Sequence, residues 1–269
     1  VWSTLYPPLS FVILRMLGIG SCYIQGRAFE SSPGLAARSC DWLGVASIWF
    51  FFFLGVVLTY LALRKIDGKT ALPRTIAVGL GFPFLDALER GNLMLISFPF
   101  FILATSSILF SARLRWLFAA LAINLKVYLI AAFVPLVLRR KWRWTESVVI
   151  ATVLVYLASF AIMGRGTLPE IVQNLSLWSA MQITQPQDVW AFSTYNGLIS
   201  LMQSDRYPMA AFIGSRNVEL LVFLIPAIIR SVQALILCAA VAICLRSETI
   251  ETHRVFNLGL LLAMITSEA

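Results

Sequence analysis

The apolar positions of this chain come in long unbroken runs rather than in the alternating or three-to-four spacing of a water-soluble fold. A hydrocarbon core about 30 Å thick needs about 20 apolar residues per crossing helix. The runs that predict such crossings are Trp42–Leu63, Thr75–Ala87, Leu93–Phe110, Val148–Met163 and Leu224–Leu245, with a further one starting at Val255. The run Trp116–Leu138 carries basic residues at both ends and Lys126 at its centre. If both ends face the same side, the run must be a hairpin of two half-helices turning within "INLKVY", Ile123–Tyr128. Irregular backbone at that depth is tolerated only where protein or a water-filled cavity surrounds it. The first run, "TLYPPLSFVILRMLGIG", is short and interrupted by Arg15, with Pro7 and Pro8 placed for a helix start. It predicts an amphipathic helix on the outer membrane surface.

The expected fold class is therefore all-α: a polytopic transmembrane helical bundle with broken half-helices and an outer-surface amphipathic helix. The expected layout is one membrane domain. Residues 1–41 form the surface helix and loop, 42–163 the transmembrane core, 164–220 an outer loop, and 221–269 the last helices.

Composition supports a membrane setting. The chain is 59% hydrophobic and 13% charged, against about 45–50% and about 25% for a soluble domain. The net charge of +8 does not point to nucleic acid, because the basic residues lie in short clusters beside apolar runs, where they set orientation. Placing Arg64–Arg74, Arg113–Arg115, Arg139–Arg143 and Arg246–Arg254 inside puts Lys65, Lys69 and Lys141 inside and leaves no lysine outside. The stretch around Glu89 and the segment Gly164–Leu220 then face outward. A bacterial inner (plasma) membrane is the expected location, and an endoplasmic reticulum membrane also fits the loop charges.

Cys22 and Cys40 bracket one polar loop and could pair if that loop faces an oxidising compartment. Spacing alone does not establish such a bond, and free thiols are the expectation. His253 is the sole histidine, so neither a zinc site nor a Ser-His-Asp triad is expected, and no metal or other cofactor is expected either. The chain begins Val-Trp and stops at Ala269 inside a fresh apolar run, which predicts a piece of a longer protein.

Two places gather polar chemistry. "DALERGNLML", Asp86–Leu95, holds Asp86, Glu89, Arg90 and Asn92 within seven residues. On a helix the first three share a face, and Gly-Asn then turns the chain back. A carboxyl able to take a proton beside a cation able to hold a phosphate suits an anionic lipid-linked substrate. The same spacing also fits a helix-terminal salt bridge. Lys126 is the second place, since an intramembrane charge costs roughly 2.5–3.5 kcal/mol and is commonly kept for function. Arg230 fits a residue that snorkels outward. The aromatic and amide residues of Gly164–Leu220, among them Trp178, Trp190, Gln182 and Asn196, suit either sugar binding or a membrane interface.

In order, "LYPPLSFVI" (Leu5–Ile13), "ERGNLMLI" (Glu89–Ile96) and "LFAALAINLKVYLIAAFVPLVLRRKWRW" (Leu117–Trp144) resemble the GT-C integral-membrane glycosyltransferases. The branch they resemble is the polyprenol-phosphate-mannose-dependent mannosyltransferases and their bacterial relatives. The resemblance implies a polyprenyl-phosphate sugar donor, a glycan or glycolipid acceptor and a site on the outer face under loops between spans. It implies substrate-binding positions at Tyr6, Pro7, Glu89, Arg90, Asn92 and Lys126; Tyr128, beside Lys126, is a further candidate, and the residues themselves offer Asp86 and Glu89 as candidate catalytic carboxylates. It also places the principal catalytic base ahead of Val1. Three other readings remain: a transporter or flippase of lipid-linked saccharide, a polysaccharide polymerase or ligase, and a non-catalytic membrane subunit.

Overall fold

The computed structural model describes residues 7–23, 40–163 and 209–246, all helical or connecting, with no strand among them. Expectations for Tyr6, for 164–208 and for the run from Val255 lie outside the described residues, as do those for the side chains of Arg90 and Arg230. The chain divides into two compact units, one built on Tyr6–Ile130 with Lys141–Arg165 and the other on Ala131–Arg140 with the C-terminal part.

In the first unit, α1 spans Pro8–Leu17, α2 Trp42–Ile66, α3 Ala71–Gly79, α4 Phe82–Arg90, α5 Met94–Thr105, α6 Ala112–Leu125 and α8 Trp142–Met163. A 3-10 turn covers Val127–Phe133. The second unit holds α7 (Val134–Leu138), α9 (Met209–Ile213) and α10 (Ser215–Arg246), with α10 packed on both α7 and α9. Helix α10 starts before the expected Leu224, so Arg216 is a helical residue rather than part of a loop.

Two described helices, α2 and α8, are long and apolar enough to cross a membrane; the bent pair α3–α4 makes a third if counted as one crossing. At 1.5 Å per residue, the 25 residues of α2 reach about 37 Å, more than the hydrocarbon thickness. The 12 residues of α5 reach only about 18 Å and the 14 of α6 about 21 Å.

The helix bounds of two expected crossings are corrected. Thr75–Ala87 is not one helix: α3 and α4 meet at a 43° bend. Pro83 has no amide hydrogen to continue a helix from α3, and instead sits in the first turn of α4, where none is needed. At the bend, a Cβ on Gly81 would stand 2.8 Å from the Ala77 carbonyl oxygen. The second correction is Leu93–Phe110, whose helix ends at Thr105 and is followed by the connection that carries Ser107 and Phe110.

Helix α1 packs against α8, α6 and α2. Pro8, Leu9 and Ser10 are buried, while Leu14, Arg15 and Met16 are exposed. Leu9 joins Leu93, Ile96 and Leu125 in one buried cluster, flanked by Ile13, Leu17, Phe51, Phe100, Leu121 and Val155. A second cluster seats α4 between α2 and α5: Phe52, Phe84, Ala87 and Leu95 are buried together. The Phe52 and Phe84 rings stack at 5.0 Å, and Phe98 closes on Phe84 at 5.3 Å. Gly55 leaves the room for this, since a Cβ there would meet the Phe84 and Phe98 rings at 3.2 and 3.3 Å.

Candidate functional site

The first unit has two chemically different ends. At one, Lys65 near the end of α2 donates to the Ser107 carbonyl at 2.8 Å and lies 5.2 Å from the centre of the Phe110 ring. The end of α2, with Arg64 and Lys65, and the α5–α6 connection, which leads into Arg113 and Arg115 of α6, therefore sit together. At the other end lie the start of α2 and the α4–α5 turn, because a Cβ on Gly91 would stand 3.0 Å from Cδ1 of Ile48, in the second turn of α2.

The α4–α5 turn accounts for the "ERGN" sequence in structural terms. Gly91 adopts the left-handed conformation, φ 63° and ψ 37°. Its amide donates to the Leu88 carbonyl at 3.2 Å and that of Asn92 to the Ala87 carbonyl at 2.9 Å. These are the two bonds of a Schellman cap, which satisfies carbonyls that a helix end leaves without partners. The Asn92 side-chain oxygen then accepts the Met94 amide at 3.0 Å and so begins α5. Glycine and asparagine at this point are thus required by the turn itself. The carboxylates are on the other faces of α4. Glu89 is exposed, opposite Phe84 and Ala87, and Asp86 is half-buried.

The expected break after α6 falls at Lys126, inside Ile123–Tyr128. Lys126 closes α6 in an extended conformation, φ −139° and ψ 98°, its amide bonded to Ala122. The side chain is half-buried. Helix α6 is about 21 Å long, shorter than the hydrocarbon thickness of a bilayer. Tyr128, in the 3-10 turn that follows, donates its hydroxyl to Met94 Sδ at 3.3 Å, which ties the break to the start of α5.

Three segments singled out separately in the sequence therefore meet. Leu9 follows Pro7 by two residues, Leu93 follows Asn92, and Leu125 precedes Lys126; all three leucines belong to one buried cluster. Packing of these leucines brings Pro7, Asn92, Lys126 and Tyr128 to one end of the unit, around the N-terminus of α5. Asp86 and Glu89 stand on α4, which runs into the same end.

Two polar residues were not anticipated. Asn124 is 3% exposed and donates to the carbonyls of Ala120, at 2.9 Å, and Thr152, at 3.0 Å, tying α6 to α8. A lone amide in an apolar run, two residues from Lys126, was the available signal. Asp41 is also 3% exposed and caps the start of α2. Its signal was an acid directly before the first apolar residue of a long run.

The free-thiol expectation for Cys22 and Cys40 is overturned, since they form a disulfide with Cα atoms 5.6 Å apart. Sequence spacing carries no information about that separation. Cys238 and Cys244 are free. Among the described residues, no three His, Cys, Asp or Glu side chains are grouped as metal ligands.

No family model, curated protein or solved structure matches the chain.

Proposed function

We propose that the protein is a membrane glycosyltransferase, moving a hexose or pentose such as mannose from a polyprenyl-phosphate donor to a lipid-linked or envelope glycan. Its site is the end of the first unit that holds Lys126 and the α4–α5 turn. The supporting observation is that one cluster, Leu9, Leu93, Ile96 and Leu125, gathers the three motif segments. A half-buried cation beside broken backbone, next to carboxylates at a helix end, suits the meeting of a membrane-bound phosphate with an acceptor from water.

In the proposed reaction a carboxylate takes the proton of an acceptor hydroxyl. The acceptor oxygen bonds to the anomeric carbon, the bond from that carbon to the phosphate oxygen breaks, and the electron pair leaves with the polyprenyl phosphate. Asp86 and Glu89 are the carboxylates of this stretch, and the resemblance places the principal base ahead of Val1. Lys126 holds the charge growing on the leaving phosphate, a task that favours a fixed cation in a poorly hydrated place. Asn92, committed to the Met94 amide through its side-chain oxygen, serves by shaping the turn.

The test follows labelled sugar transfer from polyprenyl phosphate by the natural full-length protein, purified in detergent. Loss of one such electrostatic group typically costs about 10²–10³ in kcat, and that loss is expected for Lys126→Met at unchanged folding yield. Transfer that survives Lys126→Met moves the site elsewhere. Absence of transfer from every polyprenyl-phosphate sugar tried ends the transferase reading.

A further inference from the structure

The chain leaving α1 is tied back to the start of α2 by two adjacent links. One is covalent, Cys22 to Cys40. The other is made by a single carboxylate oxygen: Asp41 Oδ1 accepts the amide of Ile19 at 2.9 Å and that of Gly44 at 2.9 Å. The first amide belongs to the chain just beyond α1, and the second to the first turn of α2. Asp41 is buried in doing so, and Gly44 keeps the place open, because a Cβ on Gly44 would collide with the Asp41 carboxylate. Ser, Thr or Asn could cap α2 alone. Here the same oxygen also takes the Ile19 amide, one residue from a cross-link that joins the same two segments.

We propose that Cys22–Cys40 and Asp41 form a clasp that seats α1 over the candidate site, with Asp41 its positioning residue, and that this clasp closes only on the oxidising side of a membrane. Helix α1 is the element held. Its Leu9 lies in the cluster with Leu93 and Leu125, the neighbours of Asn92 and Lys126. Loosening the far end of α1 therefore loosens the wall that Pro7 and Leu9 contribute.

The cross-link forms by thiol–disulfide exchange with a disulfide-donating oxidoreductase of the compartment. Two thiols lose two protons and two electrons, one sulfur–sulfur bond forms, and the donor disulfide is reduced to its dithiol. Such bonds persist in periplasmic, lumenal or extracellular settings and not in a reducing cytosol. The end that carries the α4–α5 turn and Asp41 accordingly faces outward, and the basic end with Lys65 and Ser107 faces the cytosol. This assignment uses sulfur chemistry and does not depend on counting charges in loops. The inference rests on the proposed site only for what α1 covers; the clasp itself is read without any sugar transfer.

Ser10 is fully buried on α1, so the thiol introduced by Ser10→Cys, with Cys238→Ala and Cys244→Ala, reports whether α1 stays seated. Leu9→Cys serves if that variant does not give a monodisperse gel-filtration peak, and Leu14→Cys, at an exposed position, calibrates thiol reactivity. Cutting both links with Cys22→Ser, Cys40→Ser and Asp41→Ala should raise the maleimide labelling rate of the reporter roughly tenfold or more through local opening. Asp41→Asn, which keeps the acceptor oxygen, should stay protected. In right-side-out vesicles a membrane-impermeant maleimide should modify Cys22 and Cys40 only after an impermeant phosphine has reduced them. Labelling of both without reductant, protection that requires inverted vesicles to reverse, or an unchanged reporter rate with both links cut would each overturn the clasp. A protected reporter in a protein that transfers no sugar would leave the clasp standing and remove the proposed function.

Discussion

Replacing Gly91 by alanine should weaken the first unit by about 1.5–3.5 kcal/mol, from two sources that can be separated. The residue sits at φ 63° and ψ 37°, where an L-residue with a Cβ is disfavoured by roughly 1–2 kcal/mol. The new methyl would also stand 3.0 Å from Ile48 Cδ1. That atom is the tip of a flexible chain, so Ile48 can turn aside at a cost of about 0.5–1.5 kcal/mol. The Schellman bonds from Gly91 to Leu88 and from Asn92 to Ala87 leave the backbone no cheap way to a negative φ. A loss of about 1.5–3.5 kcal/mol is a factor of about 10–400 in the folding equilibrium. It is measured by reversible unfolding in mixed micelles of mild and denaturing detergent, followed by circular dichroism. Adding Ile48→Ala to Gly91→Ala should recover the packing part and leave the backbone part. Gly91→Asn should cost less than Gly91→Ala despite its larger side chain, because asparagine tolerates the left-handed region. Equal stability of glycine and alanine, or full recovery with Ile48→Ala, would refute the left-handed cap as the reason for glycine here.

Phe84→Ala should cost about 3 kcal/mol in the same assay, at the low end for such truncations because packing rather than exclusion of water drives helix association in lipid; its partners Phe52 and Phe98 would face a void. A cost under about 1 kcal/mol would mean that α4 collapses onto α2 without the ring. Asn124→Leu should cost only about 0.5–1.5 kcal/mol, since the Ala120 and Thr152 carbonyls already serve their own helices; a loss of several kcal/mol in the micelle assay would show a larger polar network. Asp67, between α2 and α3, is held below its ordinary value of 3.8 by the Thr70 hydroxyl and then the Lys69 amide. A lowered folded-state pKa stabilises above the unfolded value and is lost as pH falls through the folded one. The melting difference between the protein and Asp67→Asn should therefore hold from pH 7 to about pH 5 and shrink only below 3.8; a difference that vanishes near neutral pH would contradict this cap.

Local chemistry settled much of the helical layout. An acid before an apolar run that ends in Arg64 and Lys65 marks α2 without any partner, since the cap and the length are properties of the segment. Glycine after Glu89-Arg90 marks a left-handed stop for the same reason. A charge at the centre of Trp116–Leu138 marks the break at Lys126, because a lysine in mid-run resists a continuous apolar helix.

Only the tertiary structure decided how these pieces meet. The bend between α3 and α4 needs Pro83 and Gly81 together with the Phe84 contacts that hold α4 at its angle to α2. The seating of α1 depends on Leu9 finding Leu93 and Leu125, residues distant along the chain, and no run of the first twenty residues contains that information. The disulfide is the clearest case. Whether two thiols eighteen residues apart join depends on the separation of their Cα atoms, 5.6 Å here, and the packing of α1 on α2 sets that distance. Capping and breaks are decided by neighbours in sequence, whereas pairing and seating are decided by neighbours in space.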